Sequence, residues 1–209
     1  MSKIISMVFL VFVLLYMVGL HFSLDFLWLL KIIPIAVLLG GVLKTKSSII
    51  RTNLLSALVF SGCGDLLLAF DEFIFGVAAF LIAQLSYAWL FRHYWQGFYN
   101  RWHLSVLLLI YMLVMMWWLL PNLGNLQFAV VAYLIAIATM GLFAFQSSLP
   151  MRWAVLGAVL FIISDSFIAI NKFINPIPYE SYWIISTYYG AQFMLVSGFL
   201  ISIRQYAEA

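Results

Sequence analysis

The sequence predicts an all-α protein, a polytopic membrane bundle of about eight transmembrane helices, and three observations carry that expectation. Of its 209 residues, 67% are apolar and only 8% charged, against about 45–50% and 25% in a soluble domain. The apolar residues fall into runs of about 20, the length of a helix that crosses a bilayer. Each run is apolar on every side, whereas the strands of a membrane barrel alternate. In hydrocarbon the backbone must bond to itself, so runs of this kind are helices.

Polar punctuation divides the chain into spans near 4–20, 26–43, 52–70, 73–91, 103–120, 126–145, 151–170 and 182–203 of a single membrane domain. Residues 1–20 combine Lys3 with an apolar stretch, as a secretion signal does, but no small-x-small site precedes His21. We read the segment as a retained first span. Cys63 is the single cysteine, which excludes an intramolecular disulfide, and its place in an apolar run predicts a buried thiol. The net charge of +3 comes with no basic stripe interleaved with aromatics, so nucleic acid is not an expected partner. Trp117 and Trp118, near a span end, fit an interfacial belt.

The loop charges predict orientation. Lys3, Lys44, Lys46, Arg51, Arg92, Arg101, Arg152 and Arg204 all fall on one side of an eight-span chain. The other side holds Lys172 with Asp25, Asp71, Glu72 and Glu180. The positive-inside rule then puts both termini in the cytoplasm, and the compact chain suggests a bacterial inner membrane. An odd number of spans would spoil the separation.

Spans three and seven are alike at an offset of 100 residues: Val59 with Val159, Asp65 with Asp165, Ala69 with Ala169, Phe73 with Phe173. Two four-helix halves of the same orientation would follow, and membrane proteins often place a site between such repeats. Chance similarity between apolar helices is the competing explanation. The following span of each half supplies a glutamine and a tyrosine, Gln84 with Tyr87 and Gln192 with Tyr188, at different spacings.

The clear ionisable residues within the spans are Lys31, Asp65 and Asp165. A carboxylate at such depth costs several kcal/mol unless paired, hydrated or protonated, so the default reading is a functional site; a purely structural ion pair with Lys31 is the alternative. Asp65 lies about 13 residues from the cytoplasmic start of its span, roughly 20 Å at 1.5 Å per residue. Asp165 is equally deep, and Lys31 is about five residues from the outer end of span two. All three therefore converge in the outer half of the bilayer. Ser61, Gly62 and Gly64 before Asp65 permit close helix approach and leave room beside the carboxyl. Ser164 and Ser166 flank Asp165, and Pro34 loosens the turn after Lys31, freeing carbonyls. Two neighbouring carboxyls in a low-dielectric site do not both ionise, so one keeps a proton. That supplies a general acid and a general base, with Lys31 setting which is which.

Other chemistries have less support. His21, His93 and His103 lie in or beside loops, away from the aspartates, so no metal or other cofactor is expected. Ser56 and Ser61 have no histidine at their depth for a serine triad. The string Gly62-Cys63-Gly64-Asp65 has the GxGD form of intramembrane aspartyl proteases, but in that class it comes second in the chain and the partners are on adjacent spans.

At these residues the sequence resembles the lysoplasmalogenase family of integral membrane proteins, also called YhhN-like. The resemblance runs over nearly the whole chain: Lys31-x-x-Pro34, LVFSGCGDLLL around Asp65, Tyr87, LFIISDSFIAINKF around Asp165, and YYGAQ from Tyr188 to Gln192. It implies hydrolysis of the vinyl-ether bond of a lysolipid to a fatty aldehyde and a glycerophospho-headgroup. Asp65 and Asp165 would be catalytic. Lys31, Ser61, Gln84, Tyr87, Ser164, Tyr188 and Gln192 would bind substrate or line the site. Family members often have histidine where this chain has Gln84, which implies a slower enzyme or another lysolipid. A proton-coupled carrier using the same aspartates is the alternative from a different class, and a scaffold without chemistry is the plain one.

Overall fold

The computed structural model of the chain describes residues 2–46, 48–98 and 101–208. Eight helices follow one another: α1 (Lys3–His21), α2 (Leu27–Leu43), α3 (Ile49–Ala69), α4 (Phe73–Arg92), α5 (Trp102–Leu119), α6 (Gln127–Phe145), α7 (Met151–Phe173) and α8 (Glu180–Glu208). Seven are long and apolar enough to cross a membrane. The other, α2, has 17 residues, about 25 Å of rise, at the short end of the spanning range. It packs along α1, α3 and α8. The chain is an integral membrane protein with a helical bundle fold.

The helices begin and end close to where the polar punctuation put them, and the exceptions have local causes. Helix α3 starts three residues early because the Ser48 hydroxyl accepts the Arg51 amide at 3.1 Å, satisfying one of the free donors of a helix start. Ser2 caps α1 in the same way, at 3.3 Å from the Ile5 amide. Helix α7 runs on through Asn171 and Lys172, polar residues that read as loop in the sequence. The side chain of Arg204 lies outside the described residues.

Contacts along the helices show that successive helices alternate in direction. Leu68 meets Gly76 and Phe80 meets Gly64, so α3 and α4 run antiparallel. Trp153 meets Gly198 and Leu160 meets Gly190, so α7 and α8 do too. Each half repeats the same packing. Helices α1, α2, α3 and α4 pack in order, as do α5, α6, α7 and α8, and the halves join where α4 packs on α6 and α2 on α8. Phe73 and Phe173, related by the 100-residue offset, meet edge to face at 5.7 Å between ring centroids. The most enclosed helix is α8.

Two close approaches position the aspartates. A β-carbon on Gly64 would lie 2.6 Å from the Phe80 ring, so only glycine lets α4 come this near α3. Phe80 therefore fills the space over Gly64, and the room expected beside the Asp65 carboxyl is a cavity lined by other residues as well. A β-carbon on Gly157 would lie 2.7 Å from Leu195, which brings α8 against α7. Residues 70–72 close the α3–α4 connection, with Asp71 at φ 62° and the Glu72 amide bonded to the Leu67 carbonyl at 2.9 Å. One expectation is corrected: Cys63 is exposed on the outside of α3. Position 63 faces away from the bundle because Ser61, Gly64 and Asp65 take the inward side of the turn. Trp117 is 78% exposed, as a belt residue should be.

Replacing Gly64 with alanine pushes a methyl group into Phe80 and should destabilise the protein by about 1–3 kcal/mol. At Gly40 nothing lies within 4 Å of an added β-carbon, and alanine there should be neutral or mildly stabilising. Thermal unfolding in detergent checks the pair.

Candidate active site

Helix rise and the alternating directions bring one end of the bundle together. Lys31 lies near the start of α2 and Asp65 near the end of α3; Asp165 is two turns before the end of α7, and Tyr188 two turns into α8. The connections at this end carry Asp25, Asp71, Glu72 and Glu180, and Lys44, Lys46, Arg51, Arg92, Arg101 and Arg152 lie at the other.

Asp65 is buried, at 3% exposure, and both carboxyl oxygens are engaged. The Lys31 ammonium lies 3.5 Å from Oδ1 and also donates to the Asp65 carbonyl at 3.3 Å. The Tyr188 hydroxyl donates to Oδ2 at 2.6 Å. Lys31 is itself held from α8, because the Tyr189 hydroxyl donates to its carbonyl at 2.6 Å. Pro34, three residues on, lacks the N–H that would have bonded the Leu30 carbonyl, next to that of Lys31.

Asp165 has a different set of neighbours. It is only partly buried, and its partners are neutral: the Tyr133 hydroxyl of α6 and the Gln84 amide of α4, the latter at 3.3 Å, both donate to Oδ2. Gln84 also donates to the Tyr133 oxygen at 3.3 Å. Oδ1 has no hydrogen-bond partner among the described residues. The lone ion pair among them is Lys31 with Asp65.

Both aspartates line one cavity of about 220 Å³, together with Lys31, Ser164 and Tyr188. Its outer wall adds Asn171 and Lys172 from the end of α7 and Glu180 and Ser181 from the start of α8. Phe80 and Ile168 are among its apolar residues. The Asn171 side-chain oxygen accepts the Ile177 amide at 2.8 Å and pins the α7–α8 turn at this mouth. The Lys172 ammonium lies 5.1 Å from the centre of the Phe73 ring.

Most of the remaining candidates fall behind the carboxyls. Gln84 reaches Asp165 without entering the cavity wall. Tyr87 donates to the Gln192 side-chain oxygen at 2.6 Å, and both are fully buried away from the cavity. Ser61 is fully buried one turn from Asp65, and its hydroxyl has no partner among the described residues. Ser164 donates to the Ile184 carbonyl at 3.1 Å. Ser166 points the other way, bonding the Ile162 carbonyl at 2.7 Å and accepting the Tyr111 hydroxyl at 2.7 Å. Sequence reasoning missed Tyr133, one tyrosine among 11 in the chain. Its depth in α6 was the available signal. Tyr16 and Tyr189, which pack edge to face at 6.3 Å between centroids beside Lys31, were missed for the same reason. No cluster of three or more metal-binding side chains occurs among the described residues.

The sequence model of the YhhN family matches residues 26–199. The chain belongs to the YhhN family. The matched stretch covers Lys31, Asp65, Gln84, Tyr133, Asp165 and Tyr188 and leaves out Tyr16. Among curated relatives of this YhhN protein, lysoplasmalogenase TMEM86A of Bos taurus is 33% identical over 180 residues, 80% of this chain and 72% of the bovine one. Lysoplasmalogenase TMEM86B of Sus scrofa is 35% identical over 150 residues, 68% of this chain and 61% of its own. A lysoplasmalogenase of Mycobacterium bovis is 32% identical over 161 residues, 71% of this chain and 60% of its own. No solved structure gives a significant match.

Removing the Lys31 ammonium leaves Asp65 without its cation. Lys31→Met should lower stability by about 3 kcal/mol, and Asp65→Asn in the same chain should return most of that loss. Unfolding of the two single variants and the double variant, read as a cycle, measures the coupling.

Proposed function

We propose that this YhhN protein hydrolyses the vinyl-ether bond of lysoplasmalogen-type lysolipids, with Asp165 as general acid and Asp65 as general base. One observation carries the reading: two carboxyls with opposite kinds of partner face the same cavity. Relatives named lysoplasmalogenase support the substrate class. The chemistry then needs an acid that protonates carbon and a base that delivers water, and the two aspartates suit those tasks.

Asp65, beside the Lys31 ammonium, carries the negative charge. Asp165 has only neutral partners, both donating to Oδ2, which suits the carbonyl oxygen of a protonated acid. The proton then sits on Oδ1. Asp165 gives it to the vinyl carbon that bears the hydrocarbon chain, the C=C electron pair forming the new C–H bond, and a lone pair of the ether oxygen, shared with the adjacent carbon, makes an oxocarbenium ion. Asp65 takes a proton from the water that attacks this ion, giving a hemiacetal. As the carbon–oxygen bond breaks, Asp65 returns that proton to the departing glycerol oxygen. Asp165 recovers its own from the hemiacetal hydroxyl, releasing the aldehyde and restoring both carboxyls. Gln84 positions Asp165, but its amide is not an acid–base group, so the proton cycle runs on the two aspartates. Tyr133 and Tyr188 hold the carboxyls in register.

We read the site as lying in the outer half of the bilayer, with both termini cytoplasmic. The basic end of the bundle supports this by the positive-inside rule. The substrate headgroup would then lie at the mouth, where Lys172 suits a phosphate and Glu180 an ammonium. A proton-coupled carrier is the second reading, favoured by the repeated packing of the two halves around the aspartates. A carrier needs a gradient and leaves its solute intact.

Purified protein in detergent, with no gradient, should release fatty aldehyde from a lysoplasmenyl lipid. Asp65→Asn and Asp165→Asn should each lower turnover at least about a hundredfold while the helix content stays unchanged. Full activity in either variant would remove the aspartate mechanism. No release by folded wild type would turn attention to other lysolipids and then to transport.

A further inference from the structure

In the proposed substrate the hydrocarbon chain is attached directly to the carbon that Asp165 protonates. An apolar path must therefore begin at Asp165. The cavity holding both carboxyls does not provide it, because Lys31, Lys172, Glu180 and Asn171 are all in its wall. A long hydrocarbon chain gains nothing by displacing water from such groups.

Two further spaces touch Asp165 on its other side, and a third lies next along α7. A small one of about 40 Å³ shares Asp165, Phe80 and Ile168 with the main cavity. A second, also about 40 Å³, shares Asp165, Tyr133 and Val130 with the first and reaches Ile162. Ile162 also lines the third, a groove of about 350 Å³ between α5 and α7. Leu104, Leu108, Val155 and Val159 are among its walls. The hydroxyl of Tyr111, the one polar side-chain group in those walls, is bonded to Ser166. From Asp165 back to Val155 is ten residues of α7, about 15 Å and about half the hydrocarbon thickness of a bilayer. The groove is the largest of these three spaces and runs from Ile162 and Ile163 toward the basic end of the bundle.

We propose that the α5–α7 groove is the seat of the substrate's hydrocarbon chain. This rests on the hydrolase reading. It sets the whole pose: headgroup at the Lys172–Glu180 mouth, vinyl ether between the aspartates, chain descending past Tyr133 and Ile162 along α7. It also makes the groove the determinant of chain-length preference and the side from which a single-chain lipid enters.

The test uses a saturated alkyl-ether lysophospholipid carrying a photoreactive diazirine near the chain end, which this chemistry cannot cleave. Bound to the full chain in detergent, it should label residues 104–111 and 155–163. Labelling should saturate and be competed by unlabelled lysophospholipid. Val159→Trp fills the groove and should cut labelling about tenfold. It should also raise KM for a long-chain vinyl ether by about tenfold or more, with little change for a short-chain analogue. Leu104→Trp repeats the test at the far end of the groove if Val159→Trp does not fold. Leu109→Trp, exposed on α5 and outside the groove, should change neither readout. Labelling that does not saturate, that falls outside α5, α7 and Phe145 of the groove wall, or that survives both tryptophans would overturn the proposal. So would equal effects on long and short substrates. Labelling needs no turnover. Competed labelling of the groove in a protein that releases no aldehyde would sink the hydrolase reading and leave a chain-binding groove. Hydrolysis with labelling elsewhere would sink the groove alone.

Discussion

A carboxylate inside a membrane protein is tolerated only if the protein replaces the water it lost, and the rest of this bundle is arranged around doing so twice. Asp65 receives a cation from α2 and a hydroxyl from α8. Asp165 receives an amide from α4 and a hydroxyl from α6. Each donor must arrive at one depth, so α2, α4, α6 and α8 are all constrained by two residues on α3 and α7. The glycine contacts serve the same end. Without the approach of Phe80 to Gly64 and of Leu195 to Gly157, the helices bearing Gln84 and Tyr188 would stand too far off.

The donors also cross between the halves of the chain. Asp65 belongs to the first four helices and is bonded by Tyr188 of the last four; Asp165 belongs to the last four and is bonded by Gln84 of the first. Tyr87 and Gln192 form a third link of the same kind, fully buried. A half on its own would therefore leave its aspartate short of a partner. The two environments are nevertheless unequal, since the cation accompanies Asp65 alone. In the proposed reaction, that inequality would let a pair of like residues take opposite roles.

Much of the fold was legible because membrane helices are written in composition. Apolar runs of the right length have no other structure open to them in lipid, and the spans agree with the helices within a few residues. The candidate site was legible for a related reason: in a chain with so few charges, Asp65, Asp165 and Lys31 stand out, and the structure brings them to one cavity. Tyr133 did not, because a tyrosine among so many aromatic residues has no special pattern. Cys63 was misread as buried because an apolar run of this kind does not reveal which side of its helix faces lipid. Gly64 marked a close approach without showing that Phe80 would make it, while the room beside the carboxyl is the cavity that both aspartates line.

By itself the sequence determined the class of fold, the helix order, the single basic end and the two carboxyls at a common depth. Those follow from local chemistry: backbone bonding in hydrocarbon, the cost of charge, and helix rise. Tertiary structure decided which donor meets which carboxyl oxygen, that both carboxyls open onto one cavity, and that an apolar groove lies between α5 and α7 from Ile162 to Val155. Those depend on how each helix is rotated about its axis and how closely it approaches its neighbour. With apolar residues all round each span, that rotation is set by partners a hundred residues away in the chain.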